Sequence, residues 1–132
     1  MILFNQNFDD IKKREEISKI YDRELSSLPL TIPHQKNYVK SSRHLYVIRI
    51  NNKLSKLNHS TVFHELRKSG IMVNLHYIPI HLQPYYVDLG FQKGDFPNSE
   101  NYYEEAISLP IYYQLSEENQ SFVIQSIKKL VS

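Results

Sequence analysis

The chain contains no cysteine, so neither a disulfide framework nor a thiolate metal site can be built from it. The same absence leaves the redox compartment open. Tryptophan is missing too, and glycine occurs only three times, always between positions 70 and 94. Neither a Gly-rich phosphate loop nor a Gly-x-Ser-x-Gly elbow is present, which removes support for nucleotidase and hydrolase chemistry. No run of about eighteen apolar residues and no basic leader followed by an apolar stretch occurs. Transmembrane and secretory readings lose support, and a cytoplasmic protein is expected. Charge of one sign is also scarce: 16 basic against 14 acidic residues leave +2, and the one dense basic run, Lys12-Lys13-Arg14, is followed at once by Glu15-Glu16. That is no nucleic-acid footprint.

What is present is the balance of a soluble globular protein, with 41% hydrophobic and 23% charged residues in 132 positions, enough for one core. Ten tyrosines and six phenylalanines supply the bulk. Several tyrosines come in pairs, Tyr85-Tyr86, Tyr102-Tyr103 and Tyr112-Tyr113, and one ring of each is expected to pack while the other keeps its hydroxyl wet.

From Phe8 to Leu28 the residues Phe8, Ile11, Ile17, Ile20, Tyr21, Leu25 and Leu28 recur at helical spacing, which predicts an amphipathic helix ending before Pro29. An exposed connection is expected over 29–42. The segment 44–50, HLYVIRI, reads as a strand buried on both faces. Asn58 or Ser60 can cap a helix that turns Val62, Phe63 and Leu66 inward and stops at Gly70. A second strand is expected over 71–77. Helical turns follow near 85–89 and from Pro97 onward, then a short strand at 106–109. Last, Ser116 caps a helix with Glu117-Glu118 in its first turn, Lys128-Lys129 in its last, and a buried stripe of Phe122, Val123, Ile127, Leu130 and Val131. The expected class is α+β, a small, mainly antiparallel sheet of about three strands covered by helices.

The densest chemistry lies at 75–86, LHYIPIHLQPYY, where two prolines stiffen a loop carrying His76, Tyr77, His81 and Tyr85. Such a loop loses little entropy on binding a ligand. The plainer alternative puts Tyr77 in the core, His76 on backbone and His81 at the surface. His76 and His81 match no zinc spacing, and His59 and His64 read as solvated. Glu104-Glu105 and Glu117-Glu118 point apart on helices and read as surface charges.

These residues resemble a known family. GIMVNLHYIPIHLQPYY at 70–86, LGF at 89–91, GDFPNSENYYEEAISLPIY at 94–112 and SEENQSFVI at 116–124 are together similar to the C-terminal part of the DegT/DnrJ/EryC1/StrS nucleotide-sugar aminotransferases. Within it the likeness is to enzymes that aminate UDP-linked 4-keto-6-deoxy sugars for pseudaminic acid and spore-coat polysaccharides. The stretch 13–25 resembles the family's long helix joining its two domains.

The resemblance implies the C-terminal small domain of a fold-type-I transaminase that moves an amino group from glutamate to pyridoxal phosphate and on to a sugar ketone. Residues 1–28 would then be the joining helix and 29–132 the small domain. His76, Tyr77 and His81, with Tyr85 beside them, fall on the motif that helps enclose the sugar. The Schiff-base lysine belongs to the family's large domain. Lys36 and Lys93 lie in unrelated loops, so no cofactor is expected on this chain alone. The implied partners are a nucleotide sugar and a large cofactor domain or full-length subunit, and an uncovered domain is expected to self-associate. Two other readings stay open: a stand-alone module that binds nucleotide sugar or docks on a subunit, and a small enzyme using His76 and His81 as acid and base.

Overall fold

A computed structural model describes residues 2–132, with side chains from Asp9 onward. Along the chain come α1 (Ile2–Leu25), β1 (Leu30–Thr31), β2 (Tyr46–Ile50), α2 (His59–Lys68), a 3-10 turn (Ile80–Leu82), α3 (Pro84–Asp88), α4 (Pro97–Tyr103), β3 (Ala106–Leu109) and α5 (Glu117–Val131). The strands form one antiparallel sheet in the order β1-β2-β3, covered by helices as the α+β pattern requires. Among the described residues no helix is long and apolar enough to cross a membrane.

The helix α1 buries Ile17, Tyr21 and Leu25, one per turn, against the inner face of the sheet. Ile11 is exposed, and the side chain of Phe8 lies outside the described residues. Tyr21 tilts against Tyr46 of β2 at 4.9 Å between ring centroids. Its hydroxyl donates to the Pro110 carbonyl at 2.9 Å, while that of Tyr46 donates to Asp22 at 2.7 Å. Burial pushes both phenols far above their ordinary pKa, so they serve as fixed donors. The packed tyrosines are therefore Tyr21 and Tyr46. No member of the three Tyr-Tyr pairs is buried; they lie on the short helices α3 and α4 and on the loop after β3.

The sheet departs from expectation in two places. In β2, Tyr46, Ile48 and Ile50 are buried, but Val47 is only half-buried and Arg49 is exposed, paired with Glu105 at 2.8 Å. The strand buried on both faces is β3, all four residues of which are buried; along its edges it bonds β2 and Asn74 of the segment after α2. That segment, 71–77, does not form a strand. Ile71 and Val73 point in and Met72 out, as alternation demands, yet only Asn74 pairs with β3. In this register the next bonded position would set Met72 against Pro110, which has no N–H to give, and the Val73 carbonyl, which points away from β3, accepts from the Arg67 guanidinium at 3.0 Å. The sheet gains its third strand from Leu30–Thr31, inside the expected connection.

Both long caps form as their residues suggest: Asn58 accepts from the Thr61 amide at 3.0 Å, and Ser116 from the Asn119 amide at 3.1 Å. The buried stripe of α5 is Gln120, Val123, Ile124, Ile127 and Val131, while Phe122 is exposed. The stripe is rotated because Gln120, polar but buried, donates from Nε2 to the Ile17 carbonyl at 2.9 Å. A Lys128–Glu24 pair at 2.8 Å closes the α1–α5 contact at its rim.

Leu66 of α2 is fully buried in this core. Leu66→Ala is expected to destabilise the fold by about 2–5 kcal/mol, read from the urea midpoint at unchanged slope. A change below about 1 kcal/mol would show that α2 is not packed as described.

A loop held from behind as the candidate functional site

Ser108, buried in β3, organises the start of the site. Its N–H and C=O both bond Asn74, at 2.9 and 3.2 Å, which fixes where the chain leaves α2. Its hydroxyl lies 2.7 Å from Nδ1 of His76. The imidazole is thereby pinned by one nitrogen and stays half exposed, with its edge on the Tyr77 ring at 4.7 Å between centroids. Tyr77 itself is 73% exposed.

Beyond Pro79 the chain tightens into the 3-10 turn, whose bonds Leu82 N–H to Pro79 O (2.9 Å) and Gln83 N–H to Ile80 O (3.0 Å) lead into α3. Pro84 opens α3, where a missing donor costs nothing. Tyr85 then stands 69% exposed, edge-on to Tyr86 at 5.3 Å. Below, Tyr86, Phe91 and Phe96 form a run of ring contacts that ends on the His81 ring, 4.8 Å from Phe96. With Ile80 and Ser99 these groups line a hollow of about 290 Å³.

His81 points inward. It is 6% exposed, and its Nε2 lies 2.8 Å from Oε1 of Glu100 on α4, which is equally buried. Both oxygens of Glu100 accept from the Gly94 amide, at 2.9 and 3.0 Å, and one accepts from Phe96 at 3.4 Å. Gly94 makes this approach with φ +102, a backbone region that other residues enter only under strain. The Gly94 amide first, then His81 and Phe96, hold the Glu100 carboxyl below the usual carboxylate range, against the opposing pull of burial. An ionised carboxylate only accepts, so Nε2 of His81 carries the proton.

The expected site residues thus separate. His76 and Tyr77 come together beside β3, Tyr85 stands on α3, and His81 lies behind them in a buried pair. The two imidazoles address different partners, Ser108 and Glu100, and do not form a joint acid-base pair. His59 is not solvated: it is half-buried, with Nε2 3.0 Å from the Ala106 carbonyl, whereas His64 is exposed. Glu104 and Glu105 are surface carboxylates as read, but each holds a cation, Lys93 at 2.9 Å and Arg49 at 2.8 Å. Reading the residues in order missed Glu100 and Ser108. The usable signal for Glu100 was a carboxylate in the first turn of a Pro-led helix just after a glycine turn.

Among the described residues no group of three His, Cys, Asp or Glu side chains is arranged to hold a metal. Lys93 and Lys36 each rest against a surface partner. The Glu104 carboxylate raises the pKa of Lys93 and keeps it an ammonium, and Lys36 rests over the exposed Tyr38 ring at 5.7 Å.

A profile of the DegT/DnrJ/EryC1/StrS aminotransferase family matches residues 6–128. The chain is 44% identical over 92% of its length to an uncharacterized protein of Methanocaldococcus jannaschii. It is 32% identical over 96% to the spore coat polysaccharide biosynthesis protein SpsC of Bacillus subtilis. It is also 32% identical over 90% to the UDP-4-amino-4,6-dideoxy-N-acetyl-beta-L-altrosamine transaminase of Helicobacter pylori. Among solved structures, the PLP form of the putative sugar aminotransferase Spr1654 from Streptococcus pneumoniae superposes with a TM-score of 0.82 and 30% identity, covering 91% of this chain and 31% of that one. The chain belongs to the DegT/DnrJ/EryC1/StrS aminotransferase family. It spans about a third of the length of these relatives, 32%, 33% and 32% in the order given.

Because Glu100 ionises more readily in the fold than in the unfolded chain, its contribution is complete above the usual carboxylate pKa and is lost as pH falls through its depressed folded value. Amide exchange at Gly94 and Phe96 is expected to speed up, after correction for intrinsic rates, across that acid window. Protection that stays flat down to global acid unfolding would contradict the assignment.

Proposed function

We propose that this chain is the sugar-facing part of a PLP-dependent aminotransferase that passes the amino group of glutamate to a nucleotide-linked keto sugar for surface glycans. In this reading residues 1–28 join it to a large cofactor-binding domain, and 29–132 form the small domain that closes over the sugar. The observation that carries the proposal is the self-supported loop, with Tyr77 and Tyr85 exposed and His76 pinned beside them. Family membership and the named activities of the relatives support the reaction class.

The roles follow from position. His76, held through Nδ1, offers its remaining edge to sugar hydroxyls, and the Tyr77 and Tyr85 rings give flat apolar faces with hydroxyls at their tips. His81 contributes shape from behind. No lysine here suits the cofactor, so amino transfer requires the partner domain or a full-length subunit, and the isolated chain is inactive. One observation favours a second reading, a stand-alone binding module: the loop is braced by Glu100, within this chain. Calorimetry with a UDP-sugar separates the two, since the first reading expects no heat from the isolated chain and the second a saturable signal.

Incubation with pyridoxal phosphate followed by borohydride is expected to leave no stoichiometric, site-specific attachment, as judged by the mass of the intact chain. Attachment at one lysine would overturn the division of labour. The exposed Tyr77, Ile80, Tyr85, Leu89 and Phe96 also predict concentration-dependent self-association in sedimentation velocity, and a clean monomer across the concentration range would count against an uncovered interface.

A further inference from the structure

We propose that Glu100 is the positioning residue of the sugar-facing loop: by gathering the N–H groups of His81, Gly94 and Phe96 onto one buried carboxylate, it sets the stance of Tyr85 and the aromatic floor beneath it. Its purpose, presenting a sugar contact, rests on the function proposed above, but the buckle itself does not. The three donors come from separate pieces of chain, the 3-10 turn, the glycine turn after α3, and the entry to α4. Within 79–96 the backbone bonds are short-range, such as Tyr86 to Gln83 and Gly90 to Val87; they join neighbouring pieces in order and none brings the 3-10 turn to the turn at Gly94. Phe91 N–H to Tyr86 O is the longest-range of them. Glu100 is therefore the main polar tie across the segment, and it is anchored in α4, directly ahead of β3.

Charge-assisted bonds in a nearly dry setting are stronger than neutral ones, and a buried carboxylate without its donors is costly. The arrangement is consequently stiff while ionised. Glutamine is a poor replacement: all three donors reach Oε1, where a neutral amide oxygen accepts them more weakly than a carboxylate, and an NH2 in place of Oε2 would face the Gly94 amide, another donor, at 3.0 Å. The other ionisable groups around the buckle are His81 from the 3-10 turn, Lys93 and Asp95 from the glycine turn, and Glu104 at the end of α4. Asp95 accepts from the Gln92 amide at 2.8 Å and is a second acid-sensitive tie in the same turn.

Hydrogen exchange across pH decides the matter on the 132-residue chain. Glu100→Gln is expected to raise exchange at residues 80–96 about tenfold at neutral pH while amides of α1 and α5 keep their protection. In that variant the acid limb of loop protection disappears, and in Asp95→Asn it persists. Glu100→Asp, which keeps the charge on a shorter arm, is expected to restore part of the protection. Unchanged loop exchange in Glu100→Gln, an acid limb that survives there and vanishes in Asp95→Asn, or a loss spread evenly over the whole chain would each overturn the proposal. If Glu100→Gln does not fold, the wild-type chain with Asp95→Asn as control still decides it by whether the loop opens in acid before α5 does. A UDP-sugar result bears on the proposed function alone and leaves this outcome untouched.

Discussion

The fold depends on β3 being bonded along both edges. On one edge it pairs with β2 from Tyr46↔Leu109 to Arg49↔Ala106. On the other, Ser108 turns its N–H and C=O to Asn74, which makes Val47 opposite Ser108 a pair without mutual backbone bonds. All four of its residues are buried and none carries a charge. Everything concerned with the candidate site is measured from this strand: His76 hangs from the Ser108 hydroxyl, and Glu100 sits in the helix that runs into its start.

The inner face is apolar in bulk but fixed by a few polar bonds. Ile48, Ile107, Leu66 and Ile127 supply area, while the hydroxyls of Tyr21 and Tyr46 and the amide of Gln120 settle how α1 and α5 are turned. Each of these bonds joins residues far apart in sequence, 103 positions in the case of Gln120 and Ile17. Buried polar groups must find partners, so such bonds reject other rotations of the same helices. The outer surface follows another logic, with the exposed aromatics Tyr77 and Tyr85 standing on a braced loop.

Much of this was legible in order along the chain. Helix ends at Asn58 and Ser116, the strand at 106–109, the proline-led turns and the α+β class follow from local propensity and capping, which act over a few residues. The strand at 71–77 was misread because alternation, which is present, reports which side chains face inward and not whether a neighbour can continue the ladder; here the position after the Asn74–Ser108 pair meets Pro110, which has no N–H. The rotation of α5 was misread because an apolar count places Phe122 inside and leaves Gln120 out.

At the site the sequence by itself determined a stiff, aromatic, histidine-bearing loop, because prolines and ring side chains act where they stand. It also carried the family likeness, since motif order survives without coordinates. Only the tertiary structure decided that His81 faces Glu100 and not solvent, that Ser108 holds His76, and that Lys93 is tied to Glu104. The reason is physical: a side chain's charge state and direction are set by partners that folding brings within about 3 Å from up to dozens of positions away, and no local rule encodes that distance.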